Sequence, residues 1–249
     1  MYRPLAFSIL VFGLGLGIAG VSAQSTTRIL DIALGSPVSA LPHDEFVDPA
    51  CGTNGGPPAL PLAGFEDFAR CPVENTTGLR EVWFIYDDEW EYIARAQREE
   101  RIISRYSANT FFRQPIITSL MIDEAGLVQG YRVITDPRAH PDIRIEGFML
   151  SGPFKGMFSD APWACTNFPP GERQEPIEGV FINTACELKS EVHVVKMVVH
   201  HFFKPGQDLR AIQRFLDVSL GQFESSTRLE VYSAEAVRDA PCCRASAFR

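Results

Sequence analysis

The sequence predicts an α+β fold: a mainly antiparallel sheet with two principal helices on its faces and disulfide-tethered loops. Three observations predict it. Arg80–Tyr86 (REVWFIY) is rich in β-branched and aromatic residues, with large apolar groups at both parities, as in a strand covered on both faces. Residues 116–135 alternate on either side of Asp123-Glu124-Ala125-Gly126, a turn in which Gly126 supplies a left-handed position. Two further segments, 88–105 and 208–223, carry helical signals. Strands joined by so short a turn are antiparallel. One sheet would then hold the strands near residues 82, 118, 131, 195 and 229, with helices near 94 and 214.

Taken in order, residues 1–23 read as a secretory signal peptide. Arg3 is their one charge, 5–19 is apolar, and Val21-Ser22-Ala23 is a small-residue cleavage triplet. An uncleaved anchor is the alternative, because the apolar run approaches spanning length. No cysteine sits at the cleavage point, which argues against a lipid anchor. No second long apolar run occurs, so no membrane span is expected in the mature chain.

Residues 24–78 form a loop-rich N-terminal region. Within it, 28–34 (RILDIAL) alternates as a short strand, and Ser36-Pro37 reads as the N-cap and first position of a short helix. Residues 79–232 form the core. After the first strand, Asp88 and Glu91 resemble an acidic capping box, and Arg95, Arg98, Arg101 and Arg105 follow toward the helix end. The pattern over 143–150 fits either a strand or a short helix, and 152–158 reads as irregular. Residues 191–203 form a second long strand, 208–223 a core-facing helix, and 227–232 a last strand. Residues 233–249 are a C-terminal tail.

The formal charge is -8, or -9 once Arg3 leaves with the signal. A chain this acidic repels polyanions, so nucleic acid is not an expected partner. All six cysteines lie beyond the signal, and export makes disulfides the default. Cys51 with Cys71 and Cys165 with Cys186 each bracket a segment rich in proline and glycine, which lacks periodic apolar residues and needs closing. Cys242-Cys243 could form a vicinal bridge, pair with other cysteines, or reach another chain. No C-x-x-C spacing occurs, so neither zinc nor any other metal is expected, and no cofactor motif is present.

Candidate catalytic groups are few. Asp87, Asp88 and Glu89 could form a metal or acid–base cluster, or simply the solvated start of a helix, whose dipole favours acids there. Asp123 and Glu124 could hold a cation, but turn chemistry explains them better. The glycine-rich turn 51–58 could cradle an anion with its backbone N–H groups, yet it lacks the lysine and hydroxyl of a P-loop. His200 and His201 are adjacent in a strand and point to opposite faces, so they do not share a metal. His200 remains a lone acid–base candidate.

Leu34-Gly35-Ser36-Pro37, with Ile122-Asp123-Glu124-Ala125-Gly126-Leu127, resembles in layout the small periplasmic envelope-assembly lipoproteins, those of the outer-membrane barrel assembly machinery. The blocks 51–58 and 78–86 are similar to those of uncharacterised exported proteins of Gram-negative bacteria. The resemblance implies a periplasmic or secreted protein and no activity. Three functions follow for test. The first is an exported interaction or structural protein, whose partner would be another envelope protein and whose contact surface would use Phe65, Phe68, Trp163 and Phe168. The second is a hydrolase using the 87–89 acids and His200. The third is a small-ligand binder, in which Trp83, Tyr86, Tyr131 and His200 would surround a cavity.

Overall fold

The computed structural model describes residues 29–87, 92–93, 96–98, 109–158, 161–204 and 223–238. The signal segment 1–23, most of 88–105, residues 208–222, Cys242 and Cys243 lie outside them. The described residues correct the fold class. They are mainly β, not α+β: one antiparallel sheet of nine strands with a few short helices.

The strands are β1 (Phe46–Cys51), β2 (Arg80–Tyr86), β3 (Thr110–Phe111), β4 (Gln114–Ile122), β5 (Val128–Thr135), β6 (Ala164–Asn167), β7 (Ile182–Lys189), β8 (His193–Phe203) and β9 (Phe223–Ser233). They run β1-β2-β4-β5-β9-β8-β7-β6 across the sheet, and the short β3 pairs with the start of β4. The last strand therefore lies in the middle. The expected hairpin is β4–β5. Asp123 closes it, with Oδ1 accepting from the N–H groups of Ala125 and Leu127 at 2.9 Å each. Gly126 takes φ +78 there, a region that side chains disfavour.

Strand alternation sorts the side chains into two layers. On one face Val82, Leu120, Tyr131, Val231, Val195 and Leu188 stand in a transverse row, all buried. This face holds the main core, completed by Phe46, Phe84 and Tyr86, with Phe46 stacked on Phe84 at 4.3 Å between centroids. On the other face the matching row is Trp83, Ser119, Arg132, Glu230, Lys196 and Glu187.

The described part of the expected 28–34 strand, residues 29–34, is not a strand. Ile29–Asp31 is a 3-10 turn, and Ile29 is buried. The alternation serves a coil laid across the core face, where the Ile29 N–H donates to the Tyr86 hydroxyl and Gly35 N–H to the Val128 carbonyl. Ser36 is not an N-cap either. Pro37 precedes the 3-10 turn Val38–Ala40 and bridges to Leu127. Conversely, β1 is a strand where a loop was expected. Asp48 at φ 53 forms a bulge beside Pro49, as an edge strand tolerates.

Residues 141–157 are helical. They comprise α1 (Pro141–Arg144), the 3-10 turn Gly147–Leu150 and α2 (Ser151–Met157). This cap lies on the core face, anchored by buried Leu150 and Phe154. Two β9 hydroxyls pin it: Ser225 Oγ donates to the Ile145 carbonyl at 2.6 Å, and Thr227 Oγ1 to the Gly147 carbonyl at 2.8 Å. A Cβ on Gly147 would stand 2.7 Å from the Ser225 carbonyl oxygen, so this close approach requires glycine. A last helix, α3 (Ala234–Arg238), follows β9.

Both bracketing disulfides are present, Cys51–Cys71 and Cys165–Cys186. The first lies in the core. The second joins directly paired residues of β6 and β7.

Candidate functional site

The most organised polar constellation among the described residues is one that sequence reading missed. Arg132 stands mid-strand on the face opposite the main core, with its side chain 3% exposed. Its Nε donates to Glu230 Oε1 at 2.9 Å, and its Nη1 lies 3.0 Å from Glu74 Oε1 and 2.9 Å from Glu81 Oε1. The last contact is a charge pairing off hydrogen-bond geometry. Arg228 Nε donates to the same Glu230 oxygen at 2.8 Å, and the Tyr232 hydroxyl donates to Glu230 Oε2 at 3.1 Å. Three carboxylates thus meet two guanidinium groups. The cluster also holds down the 51–58 turn: Asn54 N–H donates to Glu81 Oε2 at 2.6 Å, while Arg228 donates to the Asn54 backbone carbonyl at 3.1 Å. The turn's backbone is therefore engaged with side chains of the sheet.

Burial alone would raise the Glu230 carboxyl, but the charges of Arg132 and Arg228 outweigh it and hold the carboxyl below its ordinary value. Burial would likewise lower the Arg132 guanidinium, and Glu230 and Glu81 drive it upward instead. Each charge stabilises the other's ionised form, as in a structural clamp. The sign for pH follows. A carboxyl depressed in the folded state contributes stability that is complete above its unfolded value, and that is lost as pH falls through the folded one. The urea midpoint of the protein is expected to drop on acidification below the ordinary carboxylate range, and Glu230→Gln should flatten that dependence. An unchanged slope in Glu230→Gln would remove Glu230 from the account.

Of the catalytic candidates read from sequence, Asp87 and His200 lie among the described residues and stand apart. Asp87 is exposed just beyond β2, its N–H donating to the Glu45 carbonyl at 2.8 Å. Asp88 and Glu89 lie outside the described residues. His200 lies on β8, four strands from β2, about 19 Å across the sheet at the usual strand spacing. Burial lowers its imidazole below the ordinary value, against the pull of Glu224. Trp83 and His200 share one face, while Tyr86 and Tyr131 sit in the core on the other, so the four do not surround one cavity.

Of the four aromatic contact candidates, Phe65 is 1% exposed. It packs edge-on against Phe84 at 5.9 Å. The buried cystine at Cys71 draws this segment inward, so Phe65 is a core residue. Phe68 packs on the hairpin turn at Gly126, and Trp163 is half-buried with Nε1 donating to the Phe158 carbonyl at 2.9 Å. Phe168 is half-buried.

His201 and Ser225 form a buried pair, Nδ1 to Oγ at 3.1 Å. The Ser225 proton goes to the Ile145 carbonyl, so its oxygen accepts from Nδ1–H. A hydroxyl whose proton is held by a carbonyl is not activated by the imidazole, and the pair is a structural link. Among the described residues no group of three or more His, Cys, Asp or Glu side chains could hold a metal ion, and no helix is long and apolar enough to cross a membrane.

Sequence could have signalled the Arg132 cluster. Arg132 places a charge inside an apolar strand run, and Glu81 and Glu230 supply the opposite charge in two other strand segments. Compared with models of known families, with characterised proteins and with solved structures, the chain matches none, and its chemistry is read from its own geometry.

Proposed function

We propose that the chain is an exported, disulfide-braced protein that acts by binding another envelope protein through the apolar surface of its helical cap. One observation carries this reading. Met149, Met157 and Ile143 stand 58%, 47% and 40% exposed on the segment whose Leu150 and Phe154 are buried. Exposed methionines adapt to irregular partner surfaces at little cost. Phe111 extends the patch: it stacks on Phe154 at 5.0 Å and contacts Phe112, which is 67% exposed at the β3–β4 turn. The two disulfides fit folding in an oxidising compartment, and residues 1–23 supply the route as a secretory signal into the periplasm.

A photo-reactive residue at position 149 tests it in a Gram-negative periplasm. A discrete adduct is expected, weakened by Met157→Ser with Phe112→Ser, and missing when the probe stands at exposed Val192 in the β7–β8 turn. Equal adducts at 149 and 192, or none at 149, would end the proposal.

A further inference from the structure

Arg144 closes α1 and is 8% exposed. Its guanidinium is fixed from two sides. Nη1 donates to the Pro137 carbonyl at 3.3 Å, and the Phe223 ring lies 4.3 Å beneath the central carbon. The other two nitrogens, Nε and Nη2, are buried and have no hydrogen-bond partner among the described residues. Those two form the side of the guanidinium whose N–H bonds run parallel, the fork that matches two oxygens of one oxyanion. Glu224 attracts Arg144 from a distance, but its own oxygens are taken by Lys204 Nζ at 2.8 Å and Ser226 Oγ at 3.1 Å. A buried guanidinium without a counter-ion is costly, and unsatisfied buried donors call for an occupant.

We infer that Arg144 anchors an oxyanion-binding site between the cap and the start of β9, in which its Nε and Nη2 take both oxygens of a carboxylate. Pro137 and Phe223 hold the guanidinium, which leaves the Nε–Nη2 edge as the one without a hydrogen-bond partner among the described residues. The ligand is a free small acid or the carboxylate of a polypeptide terminus, since both present the same two oxygens. The site stands whether or not the cap surface binds a protein partner.

Nitrogen-15 spectra of the arginine Nε–H groups, recorded on the disulfide-intact protein, test it. Sodium acetate is titrated against sodium chloride at equal ionic strength. The Arg144 resonance is expected to shift saturably with acetate alone, and Arg144→Lys, which keeps the charge and loses the fork, should weaken acetate binding by roughly tenfold. An Arg144 signal that follows chloride as it follows acetate overturns the site, as does unaltered binding by Arg144→Lys. Should the lysine variant not fold, the wild-type titration decides alone. A tetrapeptide with a free terminus and its C-terminal amide then separate the sources. Tighter binding by the acid than by acetate, lost in the amide, assigns a polypeptide terminus; binding no tighter than acetate assigns a free acid.

Discussion

Arg132→Leu is expected to lower unfolding free energy by about 3–5 kcal/mol, the cost of removing one partner from a buried ion cluster. The guanidinium touches Glu74, Glu81 and Glu230. Without it Glu230 keeps Arg228, while Glu74 and Glu81 lose their only cation contact among the ion pairs described. Glu81 has a side chain 3% exposed, so water does not replace what is lost. Adding Glu81→Gln to the same chain should recover part of the loss, because the stranded charge goes with it. Urea unfolding of the two variants checks both statements. A loss below about 1 kcal/mol in Arg132→Leu would mean that the cluster behaves like a solvent-screened surface pair.

Cys51→Ser with Cys71→Ser should cost about 3 kcal/mol from loop closure alone. Cys165→Ser with Cys186→Ser opens a loop of nearly the same length, with separations of 21 and 20 residues for the second and first bridges. Chain entropy therefore ranks the two equally, and burial separates them. Cys51 and Cys71 are each 1% exposed, whereas Cys165 lies on an exposed edge strand. Two hydroxyls placed in the core lack the partners that buried polar groups need. The first double variant is thus expected to unfold at clearly lower urea than the second. Equal midpoints would show that only loop closure matters.

The hairpin was legible because its alternation and its turn agree, with Asp123 and Gly126 each placed where the turn needs them. The cystines were legible as brackets around segments without apolar periodicity. Other strands were not fully read, for different reasons. Asp48-Pro49 breaks β1 into a bulge, so no alternation survives in the sequence. The four residues of β6 are all exposed and carry no apolar signal. β7 alternates only weakly, with four half-buried residues at its start. The Arg132 cluster was hidden because its members meet only once β9 stands beside β5, and no local pattern specifies that order. Phe65 looked exposed because its neighbours are proline and glycine, while the bridge at Cys71 sets its depth.

Because β9 fills the slot between β5 and β8, two half-sheets must wait for it. Until residues 223–233 arrive, β5 and β8 each present an open row of peptide groups, ready to zip onto a stray chain. Pairings so distant along the polypeptide form slowly. In the order of synthesis the N-terminal half emerges first, and its bare flank stays open to mispairing until the last strand arrives. Arg132 reaching Glu230 is then the latch that fastens the two halves once the final segment slides home.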